Sequence, residues 1–169
     1  MNTSTTIAQR INLLPGELFI ARNGETIWTV LGSCISVIFY NKRTKTTAMC
    51  HAQLPTNNTN IHCSSACASP CGQEENDEYK YVNCSINHMI KSFQKLGIDN
   101  KEIEVHLYGG ANILGLSNDK PRIGEQNIVM ARDILLRNRM PISYEDVGGF
   151  SSRAITHYSD EGFTKVKTN

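Results

Sequence analysis

The stretch TVLGSCISVIFYNKRTKTTAMCHAQLP, residues 29–55, contains two apolar runs on either side of a short polar, positively charged segment. The runs cover residues 34–40 and 46–52 and are rich in β-branched and aromatic side chains, which predicts two strands. The polar NKRT, residues 41–44, has the length of a common four-residue hairpin loop. The stretch therefore predicts an antiparallel β-hairpin.

A loop at residues 41–44 sets a register in which Cys34 lies directly opposite His51. The same register pairs Ser36 with Met49. Directly opposed side chains on one sheet face have Cβ atoms about 4.5–5.5 Å apart, close enough for a thiol and an imidazole to meet. Cys50 is the neighbour of His51 in the strand, so it should point to the opposite face, where core packing explains it.

The thiol and imidazole suggest nucleophilic chemistry. An imidazole can take the proton of Cys34 to form the reactive thiolate, and can later return a proton to a leaving amine. Gly32 and Ser33 are small, and their backbone N–H groups could stabilise an oxyanion. The Thr29 hydroxyl could orient the His51 ring. The alternative is structural, since a cysteine in an apolar strand is usually a small core residue.

The rest of the chain alternates strand and helix patterns. Further strands are predicted at residues 17–22, 26–31, 103–110, 152–158 and 163–168, and the last two are joined by the turn SDEG. Helical periodicity occupies residues 81–97, with Gly97 at the position of a C-cap, and residues 123–140, which end before Pro141. These patterns predict a mixed α/β or α+β domain.

Composition narrows the classes of function. The 169 residues carry 17 basic and 16 acidic side chains, a net charge of +1 that argues against nucleic acid as a partner. The sequence has no apolar stretch of the roughly 20 residues that a spanning helix requires, and no secretory signal pattern at its start. We therefore expect a single domain over residues 1–169 that is cytoplasmic and not membrane-inserted, with its six cysteines reduced.

A polar segment at about residues 56–78 interrupts these patterns and reads as a loop or insertion. It carries Cys63, Cys67 and Cys71 at four-residue steps, and Cys84 opens the next helix. Three-residue gaps between cysteines occur in structural zinc sites, so these four residues are candidate metal ligands. The alternative is an exposed loop whose thiols have no function or react only on oxidation.

Several ordered blocks extend the pattern beyond the cysteine and histidine. They are PGELFIA, TVLGSC, HAQLP, LYGGANIL (107–114), IGEQNI (123–128) and DVGGFSSRAITHYSDEGFTKVK (146–167). In these blocks and their order the chain resembles the CheD family, the chemoreceptor glutamine deamidases of bacterial chemotaxis. The resemblance covers nearly the whole chain apart from its ends and the insertion.

The resemblance implies an α/β fold, a sandwich of mixed β-sheets flanked by helices, whose catalytic core is shared with deamidating bacterial toxins. It implies hydrolysis of receptor glutamine side chains to glutamate without a cofactor, with Cys34 as nucleophile, His51 as general base and acid, and Thr29 as the third member. The implied partner is the cytoplasmic helical domain of chemoreceptors. The alternative is an adaptor that binds and regulates a CheC-type response-regulator phosphatase.

Overall fold

The computed structural model describes residues 9–56, 79–115 and 122–169. Its strands are β1 (Arg10–Asn12), β2 (Leu18–Ala21), β3 (Thr26–Leu31), β4 (Ile35–Asn41), β5 (Thr46–Cys50), β6 (Glu104–Gly109), β7 (Ile142–Val147), β8 (Arg153–Tyr158) and β9 (Phe163–Thr168). Its helices are α1 (Val82–Lys95), α2 (Ile123–Arg137) and a short 3-10 turn at Asn100–Glu102.

The strands form two mixed sheets. The four-stranded sheet has the order β1-β3-β8-β9, and the five-stranded sheet has the order β2-β5-β4-β6-β7. One parallel pair lies at an edge of each sheet, β1 with β3 and β6 with β7, and the remaining pairs are antiparallel. The predicted sandwich of mixed sheets is confirmed.

Side chains along β4 and β5 alternate between the two faces of the five-stranded sheet, and each face has its own hydrophobic core. Val37, Phe39 and Cys50 face α1 and α2, which cover the outer side of the five-stranded sheet. Ile38 and Met49 face the four-stranded sheet and pack between the two sheets. Every residue of β4 is buried because the strand lies at the centre of its sheet and is covered on both faces.

The predicted hairpin exists, but its predicted register is wrong. The structure pairs Asn41 with Thr46, so the loop covers residues 42–45. The Asn41 side chain accepts hydrogen bonds from the Thr44 backbone N–H and hydroxyl, both at 2.9 Å, and Lys45 adopts a φ of 55°. This side-chain-closed turn keeps Asn41 in the strand and shifts the pairing by two residues. An even shift leaves every side chain on its predicted face.

The predicted helices are confirmed with shorter ends. Gly97 has a φ of 73°, and Ile98 N donates to Phe93 O at 3.0 Å across it, so the predicted C-cap ends α1. Residue Arg139, with a φ of 55°, ends α2 before Pro141 is reached.

Two strands were not predicted. β1 is only three residues long, and β7 is an edge strand whose residues are mostly exposed, so neither carries an apolar pattern. The predicted turn between β8 and β9 is present, with Tyr158 paired to Phe163 across it. Within the described ranges, no helix is long and apolar enough to cross a membrane.

Candidate active site

Cys34 lies immediately before β4, at the end of the short Gly32–Ser33 connection from β3. Its side chain is half-buried and packs against the core between the two sheets. The Cys34 carbonyl accepts a hydrogen bond from Gly110 N at 2.8 Å, and the Gly32 carbonyl accepts one from Ala111 N at 2.8 Å. The loop after β6 therefore holds the backbone on both sides of Ser33.

His51 lies immediately after β5, and its side chain is 3% exposed. Ile35 and Ala52 exchange two backbone hydrogen bonds of 2.9 Å, which makes Ser36 the direct partner of His51. Cys34 is therefore diagonal to His51 on the same face rather than directly opposite. Diagonal positions are about 7–8 Å apart, with the Cβ atoms somewhat closer, still within reach of a large side chain.

Thr29 reaches His51 from the other sheet. Its Oγ1 lies 2.8 Å from His51 Nδ1 and 2.6 Å from the Leu13 carbonyl oxygen. A carbonyl oxygen only accepts, so the single hydroxyl proton of Thr29 goes to Leu13. The hydroxyl must then accept from His51, which places the proton on Nδ1 and leaves a lone pair on Nε2. This is the tautomer that a general base acting through Nε2 requires.

Burial disfavours the charged forms of the Cys34 and His51 side chains. It raises the pKa of the Cys34 thiol above 9.0, an effect that its own backbone N–H partly opposes. Burial also lowers the pKa of His51 below 6.5, against the Leu13 carbonyl and the Glu17 carboxylate, which favour the imidazolium. Both shifts disfavour a thiolate–imidazolium ion pair.

Two glycines next to Cys34 are in close contact with neighbouring atoms of the chain. Gly109 has a φ of 103°, and a Cβ there would overlap the Cys34 carbonyl oxygen. Gly32 lies beneath the Ile113 side chain, where a Cβ would overlap Cδ1. At Gly109 the positive φ and the close contact occur at the same residue, and both favour glycine there.

The sequence missed Asn127, which is fully buried in α2. Its Nδ2 donates to the carbonyl oxygens of Ser33 and Gln53, both at 3.0 Å. Ser33 immediately precedes Cys34, and Gln53 lies two positions after His51. The available signal was an asparagine on the same helical face as Ile128 and Ala131, where an apolar residue is the ordinary choice.

Arg153, His106 and His157 have structural partners. Arg153 donates to Asp146 Oδ1 at 2.7 Å and to the backbone carbonyls of Asp146 and Gly148. His106 and His157 are both buried, with ring centroids 6.2 Å apart. They belong to the packing between the two sheets.

The zinc prediction stays untested. Cys63, Cys67 and Cys71 lie outside the described residues, as does the insertion that carries them. Cys84 is buried near the start of α1. Among the residues described, no cluster of three or more histidine, cysteine or acidic side chains could hold a metal ion.

The surroundings of the site present apolar side chains to solvent. Leu14 is 53% exposed and follows Leu13, whose carbonyl binds Thr29. Ile113 is also 53% exposed, and Leu114 is 79% exposed. Of these side chains, Ile113 contacts Gly32 in the connection that leads to Cys34.

Comparisons with known proteins agree with the resemblance. The CheD family model, described as CheD chemotactic sensory transduction, matches residues 68–168, downstream of Cys34 and His51. A probable chemoreceptor glutamine deamidase CheD 2 of Geobacter sulfurreducens is 31% identical over 157 residues, 93% of this chain and 88% of that protein. A probable chemoreceptor glutamine deamidase CheD of Oleidesulfovibrio alaskensis is also 31% identical, over 93% of this chain and 71% of its own. The chain belongs to the CheD family.

Two solved structures share part of the architecture. Hypothetical protein YfiH of Bacillus licheniformis has a TM-score of 0.48 at 10% identity, covering 76% of this chain and 49% of its own. A DUF152 protein of Neisseria meningitidis has a TM-score of 0.46 at 10% identity, covering 84% of this chain and 63% of its own.

Proposed function

We propose that this protein is a chemoreceptor glutamine deamidase that converts receptor glutamine side chains to glutamate with release of ammonia. Membership of the CheD family supports the substrate class, because its relatives carry the name of that activity. The observation that supports the mechanism most directly is the hydrogen bond between Thr29 Oγ1 and His51 Nδ1. Because this bond occupies Nδ1, it leaves the lone pair of Nε2 available on the sheet face that carries the half-buried Cys34 thiol.

In the proposed reaction, His51 Nε2 takes the proton of Cys34 as the sulfur attacks the carboxamide carbon of the glutamine. The Gly32 and Ser33 N–H groups are the proposed donors to the resulting oxyanion. The imidazolium then protonates the leaving nitrogen, the C–N bond breaks, and ammonia leaves a thioester on Cys34. Neutral His51 next takes a proton from water, which attacks the thioester. The C–S bond then breaks to release the side chain as a carboxyl group, and the imidazolium returns its proton to the sulfur, which restores the thiol and the neutral base.

The proposed substrate surface is the cytoplasmic helical domain of a chemoreceptor, which would place the enzyme in the cytoplasm. A glutamine on a helix projects far enough to enter a site whose thiol is only half-buried. The exposed Leu14, Ile113 and Leu114 side chains suit the apolar stripe of such a helix.

The test is deamidation of a receptor cytoplasmic helical fragment, followed by intact-peptide mass spectrometry and ammonia release. We expect Cys34→Ala to abolish conversion. Cys50→Ala is the matched control, because that thiol lies in the same hairpin but faces the helices. Cys50→Ala should keep activity while losing stability. Full activity in Cys34→Ala would disprove the mechanism.

The adaptor alternative predicts a different pattern. An adaptor would bind a CheC-type phosphatase equally well with and without the Cys34 thiol, and the wild type would not convert receptor glutamines. Phosphatase binding measured alongside deamidation for wild type and Cys34→Ala separates the two roles.

A further inference from the structure

The Asn127 side chain joins the segment before Cys34 to the segment after His51 through hydrogen bonds to both backbones. Its amide nitrogen has two protons, and the two acceptors, Ser33 O and Gln53 O, each lie 3.0 Å away. Carbonyl oxygens cannot donate, so the nitrogen must face them. One buried amide therefore fixes two backbone segments that carry the reactive groups.

The bond to Ser33 has a consequence for the next atom of the chain. The carbonyl of Ser33 and the N–H of Cys34 belong to one planar trans peptide, so they point in opposite directions. When Asn127 holds the carbonyl toward α2, the Cys34 N–H must point away from α2. That N–H and the sulfur belong to the same residue and are separated only by Cα and Cβ, so the N–H lies beside the atom that becomes acylated.

Helix α2, which carries Asn127, packs closely against the part of the chain next to Cys34. A Cβ at Gly124 would lie 2.5 Å from the Gly110 carbonyl oxygen, so the first turn of α2 packs directly against the loop after β6. Gly110 N in turn donates to the Cys34 carbonyl at 2.8 Å. The carbonyls on both sides of the Cys34 backbone N–H are thus held, one by Asn127 and the other by Gly110.

We propose that Asn127 is a positioning residue for catalysis: it orients the Ser33–Cys34 peptide so that the Cys34 N–H donates to the oxyanion formed when Cys34 is acylated. This inference rests on the proposed function for its natural substrate, but its chemistry applies to any acyl group that Cys34 accepts. Removing an oxyanion donor typically costs about 10²–10³ in kcat, so misdirecting one should cost about 10- to 100-fold.

The test compares two reactions of the same thiol. Acylation by p-nitrophenyl acetate passes through an oxyanion, whereas alkylation by iodoacetamide displaces iodide from a saturated carbon and does not. We expect Asn127→Ala to slow acylation of Cys34 about 10- to 100-fold, with alkylation changed by less than about 3-fold. In the deamidation assay kcat should fall by a similar factor with KM unchanged. Asn127→Ser, which keeps one donor, should fall between the wild type and Asn127→Ala.

Asn41→Ala is the matched control. Asn41 is also a buried asparagine, and its Nδ2 donates to the Glu102 carbonyl at 2.9 Å, but it lies at the far end of β4 from Cys34. It should lower the melting temperature and leave the ratio of acylation to alkylation unchanged.

An unchanged ratio in both Asn127 variants, measured below their melting temperatures, would overturn the inference even if Cys34→Ala proved inactive. A lower ratio of acylation to alkylation in Asn127→Ala would support the inference even if receptor fragments proved not to be substrates. The two proposals can therefore fail separately.

Discussion

Replacing Thr29 by valine tests the hydrogen bond on which the proposed mechanism depends. Valine keeps the branched shape of the side chain, so packing between the two sheets is nearly retained while the hydroxyl is lost. Thr29 is 1% exposed, and its hydroxyl donates to Leu13 O at 2.6 Å while accepting from His51 Nδ1 at 2.8 Å. The variant leaves a buried acceptor on Leu13 and a buried donor on His51 without their partner.

The cost can be estimated from these two bonds. An unsatisfied buried polar group costs about 1–3 kcal/mol, so the pair should lower the free energy of unfolding by about 2–4 kcal/mol, allowing for partial relaxation. The effect on catalysis is separate. Without an acceptor at Nδ1, the His51 proton is no longer confined to that nitrogen, and the ring can rotate or adopt the other tautomer. General-base catalysis contributes about 10²–10⁴-fold, and we expect kcat to fall by about 10²-fold.

The assay is deamidation of a receptor helical fragment under saturating conditions, with thermal unfolding of each variant measured in parallel. Thr29→Ser is the matched control, because it keeps the hydroxyl and loses only a methyl group. It should retain kcat within about 5-fold, with a smaller loss of stability. If Thr29→Val retained the kcat of Thr29→Ser, the tautomer argument would be refuted. A kcat loss that simply followed the melting temperature would refute it as well.

Three further predictions concern the site and its support. Alkylation of Cys34 by iodoacetamide should keep rising as the pH passes 9, because burial raises the pKa of the thiol, whereas an ion pair would give a plateau near neutrality. Stability should fall as the pH drops from 6.5 toward 3, because burial and the neighbouring His106 lower the pKa of His157 to about 3 and only the unfolded chain takes the proton. The loss should reach about 2 kcal/mol at pH 5, and His157→Gln should flatten the dependence measured by denaturant unfolding. Gly109→Ala should destabilise far more than Gly97→Ala in thermal melts, since both have positive φ but only the former meets backbone, at the Cys34 carbonyl; equal losses would contradict this account.

Much of the hairpin followed from local sequence. The short loop and the period-two direction of strand side chains placed Cys34 and His51 on one face and Cys50 on the other, and the structure agrees. The register did not follow, because loop length alone left the role of Asn41 undecided. Its side chain closes the turn from within the strand, an arrangement that depends on the Glu102 carbonyl, 61 residues away. Each side chain still lies on its predicted face, because the predicted register was wrong by an even number of residues.

The remaining parts of the site come from different elements and meet only in the folded molecule. Sequence suggested Thr29 as a partner for His51, but the choice of ring nitrogen needed the Leu13 carbonyl, which takes the hydroxyl proton. Asn127 gave only the weak signal of a polar residue on an apolar helix face. Its two acceptors are 94 and 74 residues away along the chain. Side-chain direction in a strand is a local property of period two, which sequence by itself determines. Contacts between sheets, and between a helix and a loop, depend on how separate elements pack, and only the tertiary structure decides them.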